Sequence, residues 1–455
     1  MNKLKVIILA GGQGTRMKSK IPKVLHKVLD RTMIDYVIES ANDINANDIM
    51  VIVGHQSAMV KSVIGGEVKY AYQKEQLGTG HAVMQALDFI GDNENILILY
   101  GDTPLIKQET LEKLVKIHNK EKNYVTVISS FVDNPTGYGR IVRENGIFNK
   151  IVEQRDTTEK EAKIKEINTG VYIFNSNALK DALKNLSNDN SQNEYYLTDT
   201  LEIIKNTGHK VGIMVADDST EFLGVNSKLE LATATKVMKN RINNFHMQNG
   251  ITIEDPDNTY IGKDVTIGED TVILPGCIIE GKTTIGSDCI IGPYTRITST
   301  QIKDCVNIAQ STVLSSFINS YSNIGPFAYL RPNSKIGEHV KIGDFVEIKN
   351  SVIDDGTKVS HLTYVGDSDV GKNVNFGCGT VTVNYDGKHK HRTIIEDNAF
   401  IGCNTNLIAP VKIEKNASTG AGSTITKDVP QNALAISRVK DQINKLDYNN
   451  NKKNI

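Results

Sequence analysis

The chain has 455 residues, enough for two or three domains, and its 52 Lys and Arg against 53 Asp and Glu leave a net charge of −1, which excludes the broad basic field of a nucleic-acid binder. No apolar run approaches the roughly 18 residues of a membrane span, and the stretch Val6–Ala10 is too short for an export signal. All five cysteines lie beyond residue 276, at spacings that match no disulfide or metal framework, so a reduced, soluble, cytoplasmic protein is expected.

Apolar segments Lys5–Leu9, Ile49–Val53, Asn95–Tyr100 and Val125–Ser129 alternate with amphipathic stretches such as Thr110–Asn119. This alternation predicts an α/β domain over residues 1–226, Rossmann-like, with an open and mostly parallel sheet. The first strand runs into Ala10-Gly11-Gly12-Gln13-Gly14-Thr15-Arg16-Met17, with Pro22-Lys23 following. A glycine-rich turn at the end of a parallel strand turns backbone N–H groups toward an anion. Arg16 and Lys23 would then bring two cations to a polyphosphate; the plainer alternative is a surface turn with two solvated bases. Asp102, in Tyr100-Gly101-Asp102-Thr103-Pro104, follows an apolar strand and is either a turn cap or a metal ligand.

Ser227–His246 carries Leu229, Leu231, Ala232, Ala234, Val237, Met238 and Ile242 among bases, which predicts a linker helix over 227–250 closed by Gly250. From Tyr260 onward the chain repeats every six residues. Ile stands at 261, 267, 273, 279, 285, 291 and 297, and two residues before each is a small one, among them Thr259, Thr271, Cys277 and Cys289. Residues two apart share a strand face, and a helix cannot hold period six, whereas stacked short strands can. The register returns at Ile318–Ile348 and Ile395–Ile425. The pattern resembles the left-handed parallel β-helix, with three hexads per coil and a rise of about 4.8 Å, over residues 251–440. Residues 441–455 are polar and expected to fray.

Arg331 and Lys349 each follow an inward residue and stand one coil apart. Two stacked cations repel unless an anion lies between them, so they mark a phosphate site or, more plainly, two solvated corner bases. The steps Ile348 to Ile353 and Val365 to Val370 are five residues, making coils here 17 long. Phe376 then stacks on Val359, and Cys378 falls beside His361. A lone corner His is usually structural; with Tyr364, Asn375 and Lys390 around it, the chemical reading is favoured.

Gly-x-Gly-Thr-Arg-Met followed by Pro-Lys resembles the signature of the sugar-1-phosphate nucleotidylyltransferases. That resemblance implies Mg²⁺ held by Asp102 and Asn226 (in Leu223-Gly224-Val225-Asn226), with Arg16 and Lys23 catalytic. It implies nucleotide-sugar contacts at Leu9, Ala10, Gly11, Gly12, Lys23, Gln73, Gly78, Thr79 and Asn226, and amino-sugar and ribose contacts at Gly139, Glu153 and Asn168. The stretch Val359–Gly366, with Asn384-Tyr385-Asp386-Gly387 and Leu434-Ala435-Ile436-Ser437-Arg438, is similar to the acetyltransferase half of one bacterial family. That family is the bifunctional N-acetylglucosamine-1-phosphate uridylyltransferase/glucosamine-1-phosphate N-acetyltransferase, and the resemblance spans Leu4 to about Arg438.

The family resemblance implies that His361 is general base for the amino group, oriented by Asp344 or Glu347. It places the amino-sugar phosphate on Arg331, Lys349, Tyr364, Asn375 and Lys390, and coenzyme A along Cys378, Asn384, Tyr385, Cys403, Ala421 and Arg438. Relatives often have Ala at 378 and Ser at 403, so two thiols flank the thioester here. The implied substrates are glucosamine-1-phosphate, acetyl-CoA, N-acetylglucosamine-1-phosphate and UTP, and the implied assembly is a homotrimer with acyl sites between subunits. One rival is a nucleotidylyltransferase whose β-helix is only structural or regulatory; the set Arg331, Lys349, His361, Asn384 and Tyr385 argues against it. A sugar-nucleotide scaffold without chemistry is a second rival, opposed by Asp102 with Asn226.

Overall fold

The computed structural model describes residues 3–439 together with 442 and 444, so the expectation for 441–455 falls almost entirely outside the described residues. The chain forms two compact units, Met1–Met238 and Lys239–Ile455.

In the first unit the strands are β1 Leu4–Ala10, the short pair β2 Lys27–Val28 and β3 Arg31–Thr32, β4 Asp48–Val53, β5 Lys69–Tyr72 and β6 Asn95–Tyr100. They continue with β7 Val125–Phe131, β8 Arg140–Glu144, β9 Ile147–Val152, β10 Glu166–Asn175 and β11 Val211–Val215. The helices are α1 Met33–Asp43, α2 Ser57–Ile64, α3 Thr79–Met84, α4 Gln108–Glu121, α5 Ser176–Lys184 and α6 Asp199–Asn206. The main sheet runs β11-β7-β10-β6-β1-β4-β5. All of these strands point the same way except β10, which is antiparallel to both β6 and β7. Strand alternation divides β1 between two cores. Val6, Ile8 and Ala10 pack with Ile34, Val37 and Ile38 of α1, while Ile7 and Leu9 pack with Ala82 and Val83 of α3 and Leu179 of α5. Each such buried aliphatic side chain contributes roughly 1.5–3 kcal/mol, and the two layers fix the carboxyl ends of β1 and β6 side by side. The helix α7 spans Lys228–Gln248, and Ser227 Oγ accepts from the Glu230 N–H at its start.

The second unit is a left-handed parallel β-helix. Its strands form three parallel sheets of 11, 10 and 9 strands, each strand pairing with the one three later in sequence except at the last step of the largest sheet, which is two. One inward column reads Ile261, Ile279, Ile297, Val313, Leu330, Ile348 and Val365, in register and fully buried. The small inward residues serve the backbone: the Thr271 hydroxyl donates to Gly286 O at 2.8 Å and accepts from the Cys289 N–H at 3.1 Å. Val359 pairs with Phe376, 17 positions on. Phe376 then pairs with Ile401, 25 positions on, because residues 384–392 leave the prism as a loop closed by a bridge between Tyr385 and Lys390.

Candidate active sites

After β1 the chain makes a tight turn. Gly14 has φ +61°, and a Cβ there would lie 2.8 Å from Lys23 Cβ, so the turn and the Lys23 backbone close on each other only with glycine. Lys23 Nζ donates to Asp102 Oδ2 and, at 2.9 Å, to Asn226 Oδ1. Both oxygens thus converge on one point beyond the end of β6. Arg16 is exposed and has no partner among the described residues. Gln73, buried behind the turn, donates to Gly78 O at 3.1 Å, and Thr79 Oγ1 accepts from the Leu197 N–H at 3.0 Å.

A second group gathers Gly139, Glu153 and Asn168: a Cβ on Gly139 would lie 3.5 Å from both Asn168 Cβ and Glu153 Oε1. Asn168 donates to the Tyr172 hydroxyl at 2.6 Å and accepts from the Gly170 N–H at 3.0 Å. Burial pushes the Glu153 carboxyl above its ordinary range, partly offset by the Thr198 hydroxyl at 3.2 Å. Leu9, Ala10, Gly11 and Gly12 form the end of β1 and the start of the turn. Among the described residues no three His, Cys, Asp or Glu side chains group to hold a metal. Two hard oxygens facing one point nevertheless suit Mg²⁺, which keeps waters and substrate phosphates for its other positions.

On the β-helix, Asp344 and His361 occupy equivalent places on neighbouring rungs, and His361 Nδ1 lies 2.6 Å from Asp344 Oδ1. Glu347, the other candidate for that role, pairs instead with Arg331 at 2.9 Å. Extending the pairing of Phe376 with Ile401 and of Ile401 with Thr419 by two residues continues the corner column through Cys378, Cys403 and Ala421. The Asn404 N–H bonds Cys378 O at 2.7 Å, the Gly422 N–H bonds Cys403 O at 2.7 Å, and Arg438 donates to Ala421 O at 2.7 Å. Both thiols are free, Cys403 exposed and Cys378 half-buried.

The wall that begins at this corner with Tyr364 ends at Arg331 and Lys349 on its opposite edge. No bare pair of stacked cations stands there: Arg331 has Glu347, and Lys349 has Asp367 at 3.3 Å. Burial lowers the Lys349 ammonium's pKa, but the Asp367 carboxylate holds it above its usual value, and Lys390 is shifted below its usual value by Lys349. Asn384 Nδ2 lies 3.4 Å from the Tyr364 hydroxyl. Tyr385 is exposed on the loop, its hydroxyl donating to Gly387 O at 2.7 Å. Asn375 lies on the preceding wall in register with Lys358, without a side-chain bond to the other residues named here.

Asp367 escapes a sequence reading. It follows Gly366 at a corner, one coil after Asn350, and that 17-residue spacing to a Lys-Asn pair is the signal that could have found it. Burial raises its carboxyl's pKa, yet bonds from Asn350, Asn384 and Lys349 hold it below the ordinary value.

Residues 5–224 match the nucleotidyl transferase family, and residues 264–299, 315–350 and 392–427 match the bacterial transferase hexapeptide repeats. Over nearly its whole length the chain is similar to proteins named "Bifunctional protein GlmU". It is 58% identical over 446 residues to that of Caldanaerobacter subterraneus subsp. tengcongensis, covering 98% of this chain and 97% of the relative. The figures for Thermoanaerobacter pseudethanolicus are 55% over 446 residues, 98% and 97%. For Clostridioides difficile they are 52% over 440 residues, 96% and 96%.

Proposed function

Because the chain belongs to the bifunctional GlmU family, we propose that it makes UDP-N-acetylglucosamine in two reactions at two separate sites. It is an acetyltransferase, moving the acetyl group of acetyl-CoA to glucosamine-1-phosphate, and a uridylyltransferase, joining the product to UTP with release of pyrophosphate.

In the acyl site His361 Nε2 accepts the proton of the amine as its nitrogen attacks the thioester carbonyl, and the coenzyme A thiolate leaves. An ionised Asp344 can only accept, so Nδ1 carries the ring's proton and Nε2 is left as the base. The Cys378 N–H steadies the tetrahedral oxyanion. Arg331, Lys349, Tyr364, Asn375 and Lys390 hold the phosphate, while Asn384, Tyr385, Cys403, Ala421 and Arg438 follow coenzyme A.

In the nucleotide site an oxygen of the sugar phosphate attacks the α-phosphorus of UTP, and pyrophosphate leaves in line. Arg16 and Lys23 neutralise the phosphates, and Gln73, Gly78 and Thr79 hold the base. Gly139, Glu153 and Asn168 hold the sugars. Asp102 and Asn226 are the residues that would hold Mg²⁺, which supplies charge neutralisation to phosphoryl oxygens when bound.

Self-association is supported by the exposed corner residues Tyr294, Phe327, Phe345 and Leu362, each more than half exposed, with the two Phe rings stacked 5.5 Å apart. Exposed apolar side chains grouped along one corner favour an interface, and a homotrimer is the assembly we propose. No helix among the described residues is long and apolar enough to cross a membrane; cytoplasmic residence is part of the proposal.

The Asp344–His361 bond carries the acyl-transfer reading, since a β-helix that is only a scaffold has no use for an oriented base. The test is purified protein with glucosamine-1-phosphate, acetyl-CoA, UTP and Mg²⁺, each omitted in turn, beside His361→Ala. Acetyl transfer should fall by about 10²–10⁴-fold in the variant with uridylyl transfer retained; equal loss of both defeats the assignment.

A further inference from the structure

Asp367 takes no part in the chemistry just described, yet it bonds to both ends of it. Its side chain is 7% exposed. One oxygen accepts from Asn350 Nδ2 at 2.6 Å. The other, Oδ2, accepts from Asn384 Nδ2 and from Lys349 Nζ, the latter at 3.3 Å. A carboxylate oxygen has two lone pairs, so a single atom can fix both donors.

Charge pairing sharpens the point. Glu347 matches Arg331, Asp369 matches Arg392, and Asp367 matches Lys349. Lys390 feels both the Lys349 charge and that of Asp367. Removing Asp367 would leave two ammoniums facing each other, and their repulsion would displace Lys349 from its place.

We infer that Asp367 is a positioning residue that holds Lys349 and Asn384 in one frame, and so sets the amino-sugar phosphate and the acyl donor at a fixed spacing. The inference rests on the two-substrate acyl site proposed above. It goes further in assigning one carboxylate to both substrates.

Asp367→Asn is the first test. Asn keeps the size and tolerates the φ of +50° at this corner. KM for glucosamine-1-phosphate and for acetyl-CoA should both rise by about tenfold, the loss expected for a charge-assisted bond, with uridylyl transfer unchanged. In a Lys349→Met background the same change should leave KM for the amino sugar nearly where it is and still raise that for acetyl-CoA. A fall in kcat alone, or an effect on the amino-sugar KM that adds fully in that background, overturns the inference. Should Asp367→Asn fold poorly, a Lys349→Met and Asn384→Ala double-mutant cycle leaves Asp367 in place. Coupling of about threefold or more supports the shared carboxylate, and additivity overturns it. Wild-type protein without acetyl transfer would instead defeat the underlying two-substrate reading.

Discussion

Asp344 lies one rung from His361 and accepts a hydrogen bond from its Nδ1 over 2.6 Å. The stack itself makes this pair: any residue two places past an inward position meets its equivalent one coil away, about 4.8 Å along the axis. A short carboxylate against an imidazole spans that gap, whereas Glu347, on the next wall, is engaged by Arg331. The bond fixes the ring's tautomer and rotation. Asp344→Asn should therefore slow acetyl transfer by about tenfold or more, short of the ~10²–10⁴-fold cost of removing the base. The His361 hydrogen bond lowers the Asp344 carboxyl's pKa, so its contribution is present at neutral pH and is lost only in acid, as pH falls through the depressed value. The ratio of wild-type to variant kcat should stay flat from pH 7 to 9; a ratio that collapses in that window would remove Asp344 from the role.

Lys23 bridges Asp102 and Asn226, so a divalent cation held there would compete with an ammonium for the same oxygens. Asp102→Ala should lower uridylyl transfer by about 10²-fold, the order of losing one electrostatic stabiliser, and raise the Mg²⁺ concentration needed for half-maximal rate. Acetyl transfer should be unaffected, and chelation with EDTA should divide the two activities in the same way. Normal UTP turnover in the variant would take Asp102 out of the metal site.

The β-helix is legible in the sequence because its inward positions admit few alternatives: one aliphatic residue and one small residue per hexad, for which the prism has a single use. Even the 17-residue coils can be counted, and the pairing of Val359 with Phe376 follows. The 25-residue coil is hidden, since Asn384–Arg392 is polar and leaves no periodic trace of a loop. Strand direction is hidden as well: nothing in the residues of Glu166–Asn175 marks its direction, and only pairing reveals that β10 runs against its neighbours. The choice between Asp344 and Glu347 turns on which corner each one faces, which a sequence does not contain. Asp367 is marked only by its 17-residue spacing from Asn350, since its bonds reach across a coil and a loop.

The five thiols differ sharply in access. Cys277 and Cys289 are buried inward positions whose thiols burial pushes above the usual pKa, so they hold little reactive thiolate. Cys403 is exposed, and Cys378 and Cys305 are half-buried. Iodoacetamide should label Cys403 first and leave Cys277 and Cys289 unmodified in folded protein, as peptide mass spectrometry would show. Labelling at Cys403 should reduce acetyl transfer and spare uridylyl transfer, and saturating acetyl-CoA should slow it. Rapid labelling in the presence of acetyl-CoA would argue that coenzyme A does not pass this thiol.

Asp199 begins α6 beside Glu153, and two effects compete there. A helix N-terminus favours a carboxylate, while burial and then the Glu153 charge oppose it; opposition wins, and the carboxyl is raised to about 6. With its folded pKa above the unfolded value of about 4, the folded state binds the extra proton in between. This group's contribution to stability is thus fully present below about pH 4 and is lost as pH rises through 6. Asp199→Asn removes the charge while keeping the shape. At pH 8 the variant's first unit should melt above the wild type, and the difference should shrink steadily toward pH 5. Thermal melts at those two values decide the matter: a difference that widens in acid would mean that Asp199 is stabilised as the anion and that the helix terminus outweighs its buried neighbours.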